Sequence, residues 1–245
     1  MPRPVSIVTV TFDTFFFTRL LVEKVREFIG AREYEIIAVD RGSTDGTREW
    51  LDRQTDVRLL LAEPTPAHGH GEAAESGGLQ ATYEAIVLLD SDAHPVDGDW
   101  LTRTVDRLDA KTRLAGAEFG GKHRGNPYGW YIHPHFMGFL KDDLGSRIIL
   151  RKMRGHDTDT GEEATIRLLD AGLNVLRYPL EYCSRFSVGH PHYPTVAGGV
   201  FHAWYGTRLQ KEKRAVGKET QGVVTNESYL EPLLARLRSA YQLDY

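Results

Sequence analysis

Residues 86–95 read IVLLDSDAHP, where four apolar side chains run into two aspartates separated by one serine. In extended backbone the side chains at i and i+2 share a face, so Asp90 and Asp92 point at one spot. Two carboxylates so placed each raise the cost of ionising the other. A divalent cation relieves that repulsion. Hard ions such as Mg2+ and Mn2+ prefer oxygen ligands and commonly bridge to substrate phosphates. The competing reading is a solvated turn in which Ser91 and Asp92 cap a helix that begins near Asp99. A D-x-D triplet is common by chance, so its surroundings must decide.

Carboxylates recur at comparable places in the chain. Asp13 follows VSIVTVTF (5–12), and Asp40 ends YEIIAVD (34–40). Open α/β sheets bind ligands outside the carboxyl ends of their strands. One such aspartate is commonly a cap or turn residue, whereas the repetition argues for a shared site. Farther on, HDTDTGEEATIRLLDAG (156–172) gathers Asp157, Asp159, Glu162 and Glu163 at a helix entrance. Acidic residues stabilise helix N-termini in any case. Trp130, Tyr131, His133, His135 and Phe136 suit either a wall for a sugar or aglycone, whose rings pack on aromatic faces, or the core of the second half.

The elements that must position these groups show in the hydrophobic periodicity. VSIVTVTF is β-branched and bounded by Pro4 and Asp13, and reads as a buried strand. FFFTRLLVEKVREFI (15–29) sets Leu20, Leu21, Val25, Phe28 and Ile29 on one helical face, with Gly30 as the stop. A second strand at 34–40 precedes TDGTREWLDRQ, a helix with Thr44 or Asp45 at its N-cap. VRLLLAE (57–63) is a third strand, Gly71 to Ala81 a helix weakened by Gly77-Gly78, and EAIVLLD (84–90) a fourth strand. This alternation predicts an α/β fold with a Rossmann-like, mostly parallel sheet flanked by helices. After residue 110 the pattern changes, and GGKHRGNPYGWYIHPHF (120–136) reads as a loop-rich insertion rather than core. GEEATIRLLDAG (161–172) predicts a helix, NVLRYPL (174–180) a strand, and YLEPLLARLRSAYQL (229–243) a terminal helix after a polar, basic stretch. No linker divides the chain, which reads as one domain over 1–245.

Composition bounds the function. At 245 residues with 41% hydrophobic and 26% charged residues, this is an ordinary globular chain. A net charge of −4 argues against nucleic-acid binding by bulk electrostatics but leaves room for a small anion on a local basic cluster. Cys183 is the single cysteine, so no intrachain disulfide forms and thiolate-rich zinc sites are excluded. The apolar run near the N-terminus is too short for a signal-peptide core. No segment approaches the ~18 apolar residues of a membrane span. The expectation is a cytoplasmic protein without a transmembrane segment.

VSIVTVTFD, IIAVDRGSTDGTREWL and IVLLDSDAHP, in that order and spacing, resemble the inverting family 2 glycosyltransferases of the GT-A fold, over roughly residues 4–110. The specific part is STDGT after a strand-terminal aspartate, and the D-x-D adds to it. The resemblance implies metal-dependent, inverting transfer of a sugar from a nucleotide-diphosphate sugar to an acceptor hydroxyl. It implies a donor half over about 1–110 and an acceptor half, with a C-terminal lid and helix, over about 111–245. Thr11 and Phe12 then line the nucleobase pocket, and Asp13 stands where asparagine is more usual. Asp40 accepts a hydrogen bond from the base, and Asp90 with Ser91 lies near the ribose and metal. Asp92 ligates Mn2+ or Mg2+ on the donor diphosphate. Arg41 replaces the commoner Asn or Asp, and either approaches a phosphate or points to solvent. His68 and His70 occupy the family's Asn/Gly-rich helix start, where they border the donor pocket or are exposed.

An inverting transfer needs a group that takes the acceptor's proton. The 156–172 segment resembles the loop where the family keeps that base, which selects Asp159, with Glu162 next. GT-A enzymes often draw a third metal ligand from a C-terminal histidine, and His202 is similar in position; otherwise it packs among Phe201, Trp204 and Tyr205. Arg208, Lys211, Lys213 and Arg214 then form a basic run that folds over the diphosphate or is solvated. Two other functions compete. A nucleotidyltransferase acting on a sugar phosphate would want a Gly-rich, basic first loop, whereas TFDTFFFTR is aromatic and contains no glycine. A non-catalytic nucleotide-sugar-binding protein would have no need of a base.

Overall fold

The computed structural model describes residues 2–63, 69–120, 126–151, 159–189, 193–204 and 229–245. β1 (Val5–Thr11), α1 (Phe15–Phe28), β2 (Tyr34–Asp40), α2 (Thr47–Asp52), β3 (Val57–Leu61), α3 (His70–Leu79) and β4 (Ala85–Asp90) alternate as their periodicity predicts. β5 (Ala93–Pro95) and the short α4 (Trp100–Arg103) follow, then β6 (Thr112–Gly120) and β7 (Trp130–Leu140). α5 (Glu162–Asp170), β8 (Asn174–Tyr178), β9 (Glu181–Tyr182), β10 (Thr195–Ala197), β11 (Val200–His202) and α6 (Glu231–Tyr241) complete the order.

The main sheet has seven strands in the order β3-β2-β1-β4-β7-β6-β8. β1 pairs in parallel with both β2 and β4, and β2 with β3, so Thr11, Asp40 and Asp90 finish side by side along one edge of the sheet. β7 runs antiparallel to β4 and to β6. A single-domain, mostly parallel sheet flanked by helices is therefore what forms. Among the described residues, no helix is long and apolar enough to cross a membrane.

Gly77 and Gly78 weaken α3 for a packing reason. A Cβ on Gly77 would come within 2.7 Å of Val8 Cγ1 and 2.9 Å of Val39 Cγ2. The missing side chain lets α3 lie close on β1 and β2, and the packing outweighs the roughly 1 kcal/mol that glycine costs a helix relative to alanine. At the start of α2 the N-cap position is Gly46, not Thr44 or Asp45. The capping carboxylate is nevertheless Asp45. Its Oδ1 accepts the Thr47 N–H at 3.1 Å, and its Oδ2 accepts the Phe15 N–H at 2.9 Å, so one side chain serves two helix starts.

The segment read as a loop-rich insertion contains sheet at both of its ends, residue 120 and residues 130–136. β7 begins at Trp130, and Tyr131, Ile132 and Phe136 are buried. Two features hid the strand. Gly129 takes a left-handed turn immediately before it, and Pro134 interrupts it, which argues against a central strand. Pro134 is tolerated because the β6–β7 ladder bulges here: Ile132 pairs with Glu118 and Met137 with Gly116, so four residues, 133–136, face Ala117 alone. A bulge re-aims side chains beside a site. A second, four-stranded antiparallel sheet in the order β5-β11-β10-β9 covers the end of the first, with strands too short to leave a periodic signature.

Candidate active site

A cleft of about 510 Å3 opens where β1, β2 and β4 end. Thr11 and Phe12 line it from β1, Arg41 from the end of β2, and Asp90, Ser91 and Asp92 from the end of β4. β7 and the entrance to α5 contribute His133, Pro134, Asp159 and Thr160. Thus the strand-end residues and Asp159, some seventy positions farther along the chain, meet in one place.

The two aspartates of D-x-D do share a face, and each has an imidazole beside it. Asp92 is buried, and its Oδ1 is hydrogen-bonded to His202 Nε2 at 3.2 Å. Ligand atoms of Asp90, Asp92 and His202 lie within 4.8 Å of one another. His202 is brought there by the second sheet, in which it stands opposite Ala93 while the Ala203 N–H donates to Asp92 O at 3.0 Å. Asp90 Oδ1 lies 3.1 Å from His70 Nε2, an ion-pair distance without the alignment of a hydrogen bond. That buried carboxylate oxygen accepts no hydrogen bond from the described residues. Burial works to raise the Asp90 carboxyl, but the imidazoles around it, His70 foremost, prevail and hold it well below the usual carboxylate range. At His70 burial pulls the imidazole down, and Asp90 more than reverses this, leaving it above its ordinary value. Two carboxylate oxygens and an imidazole nitrogen converging beside an orphaned acceptor form a donor set that fits a divalent cation.

The other strand-end carboxylates do a different job. Asp40 is fully buried. Its Oδ1 accepts the Gly42 and Ser43 N–H groups at 3.1 and 3.0 Å, and its Oδ2 accepts the Thr11 hydroxyl at 3.0 Å and the Ser43 hydroxyl. Four donors fill the roughly four lone-pair positions of a carboxylate. The expected hydrogen bond from a nucleobase to Asp40 has no free acceptor in this arrangement. Asp13 adopts a left-handed backbone (φ 51°) and clasps the same turn, donating its N–H to Ser43 Oγ at 2.9 Å and accepting the Thr44 N–H at 2.7 Å. Neither Asp13 nor Asp40 lines the cleft; both shape the 41–44 turn that carries Arg41 into it. Arg41 Nε is buried there and makes no hydrogen bond to the described residues.

Asp159 and Glu162 separate clearly. Asp159 faces the cleft and accepts the Tyr131 hydroxyl on Oδ2 at 2.9 Å. Burial and the adjacent carboxylate raise the Tyr131 phenol far above its ordinary value, so its proton stays in place as a donor. Glu162 is fully buried under the helix entrance. Its Oε1 accepts Asn126 Nδ2 at 2.8 Å and its Oε2 the Asp159 N–H at 3.0 Å. It holds Asp159 in position without lining the cleft.

His70, Phe119 and Tyr193 also line the site, with the Trp204 ring tilted against His202 at 4.3 Å between centroids. The glycine-flanked histidine at the start of α3 was the available signal for His70. Phe119 and Tyr193 left none, because the sheet pairing that places them is long-range. His68, Asp157, Tyr205, Arg208, Lys211, Lys213 and Arg214 lie outside the described residues.

Comparison with known proteins agrees with this geometry. Residues 6–162 match the family model for glycosyl transferase family 2. Among solved structures, a mannosyltransferase from Pyrobaculum calidifontis, in complex with GDP-mannose and Mn2+, is 19% identical over 98% of this chain and 76% of its own, with a TM-score of 0.56. Glucosyl-3-phosphoglycerate synthase from Mycobacterium tuberculosis, in complex with Mn2+, UDP and phosphoglyceric acid, is 16% identical over 72% of this chain and 68% of its own, with a TM-score of 0.51. The same synthase with Mn2+, UDP-glucose and phosphoglyceric acid is 17% identical, covering 72% and 70%, with a TM-score of 0.51. At these identities the likeness is one of fold. No match emerges among curated proteins.

Proposed function

The chain belongs to glycosyl transferase family 2 and is a glycosyltransferase, and from that premise we propose that it is metal-dependent and inverting, moving a sugar from a nucleotide-diphosphate sugar to an acceptor hydroxyl. The observation that carries this reading is the convergence of Asp90, Asp92 and His202 on one side of a cleft whose other wall presents Asp159. Asp90, Asp92 and His202 would hold the cation. Because one ligand is an imidazole, Mn2+ suits the set better than Mg2+, which favours oxygen and water. When bound, the ion offsets the charge of the donor diphosphate and of the departing nucleoside diphosphate.

The chain's own residues supply the remainder. Thr11, Phe12 and Ser91 border the nucleoside, and Arg41 offers its unpaired guanidinium edge to the diphosphate. Asp159, oriented by Tyr131 and by Glu162, accepts the proton of the acceptor hydroxyl as that oxygen bonds to the anomeric carbon. The bond from that carbon to the diphosphate oxygen breaks on the opposite face, which inverts the configuration. Residues to about 110 form the donor half and the later ones the acceptor half.

The test is a thermal-unfolding screen of UDP, GDP, dTDP and their sugars, with and without Mn2+. GDP-mannose and UDP-glucose come first, as the donors held by the structural relatives. A ligand at a hundred times its Kd stabilises by about 2.7 kcal/mol, which raises Tm by roughly 5–11 °C in a chain of this size. A shift with Mn2+ that vanishes on chelation is expected. No shift with any nucleotide in Mn2+ would remove the reading.

A further inference from the structure

Two histidines of β7 carry more information than the reading above uses. His133 lines the cleft, and His135, fully buried, stands behind it. Their Nδ1 atoms are 2.9 Å apart, so one of the two carries a hydrogen and the other a lone pair. The backbone decides which. The His135 N–H is aimed at His133 Nδ1 at 3.2 Å, and a hydrogen on that nitrogen would meet it head-on. His133 Nδ1 is therefore the acceptor and His135 Nδ1 the donor. A neutral His133 must then carry its hydrogen on Nε2, the polar atom left to the cleft. The two rings are neighbours because residues two apart share a face of β7, and both lie in its bulge.

We propose that His135 is a positioning residue that locks His133 in its Nε2–H form, and that this N–H donates to a hydroxyl oxygen of the transferred sugar, making His133 a determinant of donor-sugar choice. The proposal rests on the nucleotide-sugar reading given above. A sugar hydroxyl fits better than a phosphate for two reasons. The His135 N–H aimed at His133 Nδ1 leaves that nitrogen without a hydrogen, so the ring is an uncharged donor. Its neighbours are aromatic, with Phe119 at 5.2 Å and Trp204 at 5.4 Å between ring centroids, and such faces pack against the C–H surface of a sugar.

The first test is long-range 15N–1H correlation on the histidine-labelled, full-length protein, which separates protonated from unprotonated ring nitrogens. His133 is expected with a protonated Nε2 and an unprotonated Nδ1. His135→Asn, whose amide can still donate to His133 Nδ1, should keep that pattern, and His135→Leu should mix the two tautomers. A protonated Nδ1 on His133 in the parent protein would overturn the proposal. The second test compares Kd values in Mn2+ for UDP-glucose, GDP-mannose and dTDP-glucose with those for UDP, GDP and dTDP. His133→Phe should weaken the preferred nucleotide sugar roughly tenfold and leave its nucleoside diphosphate unchanged. His133→Gln, which retains an N–H near the Nε2 position, should recover part of the loss and serves if the phenylalanine variant does not fold. Equal weakening of the sugar nucleotide and the diphosphate, or no weakening of either, refutes the role while the parent still binds donor. A parent that binds none of the six ligands removes the nucleotide-sugar reading, and this role with it.

Discussion

Replacing Asp159 by asparagine and Glu162 by glutamine should produce opposite phenotypes, although three positions separate them and both sit at the entrance to α5. In Asp159→Asn the amide oxygen can still accept the Thr160 N–H that Asp159 Oδ1 takes at 2.8 Å. The amide NH2 can donate to the Tyr131 hydroxyl oxygen, which turns its own hydrogen away. The local bonds survive, so unfolding should move little, within about 0.5 kcal/mol. What is lost is the proton acceptor, and general bases contribute typically about 10²–10⁴ in rate. The expected outcome is a kcat lowered by that factor with donor KM nearly unchanged. Glu162→Gln meets a donor on each side, Asn126 Nδ2 on one oxygen and the Asp159 N–H on the other. Whichever way the amide turns, its NH2 faces a donor. One buried unsatisfied pair costs about 1–3 kcal/mol, or roughly 2–12 °C in Tm for 150–250 residues. Turnover should fall only as far as Asp159 is loosened, on the order of tenfold. The assay is transfer kinetics with donor titration and thermal unfolding on both variants. Near-normal kcat in Asp159→Asn together with lost kcat in Glu162→Gln would refute the assignment of the base to Asp159. Lost donor binding in Asp159→Asn would mean that this carboxylate serves the metal or the fold.

Asp92→Ala should weaken nucleotide-diphosphate binding in Mn2+ and leave metal-free binding nearly unchanged, as titration calorimetry with and without chelator would show; equal affinities in saturating Mn2+ would deny it a role as ligand. Asp40→Ala should destabilise the fold by about 2 kcal/mol or more, since it strands two backbone N–H groups of the 42–43 turn. Unchanged unfolding with selectively weakened nucleoside monophosphate binding would instead put this carboxylate against the base. Gly77→Ala should also destabilise, by about 1–3 kcal/mol from overpacking against Val8 and Val39, and a gain in Tm from improved helix propensity would show that α3 can retreat from the sheet.

The strand-end side of the cleft was legible because parallel strands end in register. Strong β-branched runs fixed β1, β2 and β4, and the aspartates after them had to finish along one edge. The side formed by β7 and the entrance to α5 was obscured by chemistry that breaks periodicity. β7 hides behind Pro134 and a glycine turn, and its bulge suspends the alternation that would have marked Tyr131 and Ile132 as buried. At Asp40 the sequence shows a carboxylate at a strand end but not the four donors that fold back onto it. His70 meets Asp90 across two elements, and the His133–His135 contact lies within the β7 bulge. His202 was found by analogy of position, and its route to Asp92 became apparent only with the second sheet.

That route also accounts for the aromatic start of α1, which no local rule required. β11 has three residues and pairs with a β5 equally short, and so small a ladder is not stable by itself. Its Phe201 belongs to a buried cluster with Phe16, Phe17 and Leu20 of α1 and Leu233 and Leu237 of α6. The Tyr229 hydroxyl, just before α6, donates to Ala203 O, one residue beyond His202. The third candidate ligand is thus held against Asp92 by apolar burial from both ends of the chain, and not by its own strand. Phe16 and Phe17 sit within one turn of Asp13, so the loop after β1 and the strand that delivers His202 share one core. Val200, two residues before His202, packs instead into a core cluster of the seven-stranded sheet, so β11 ties the two cores together at the position of His202.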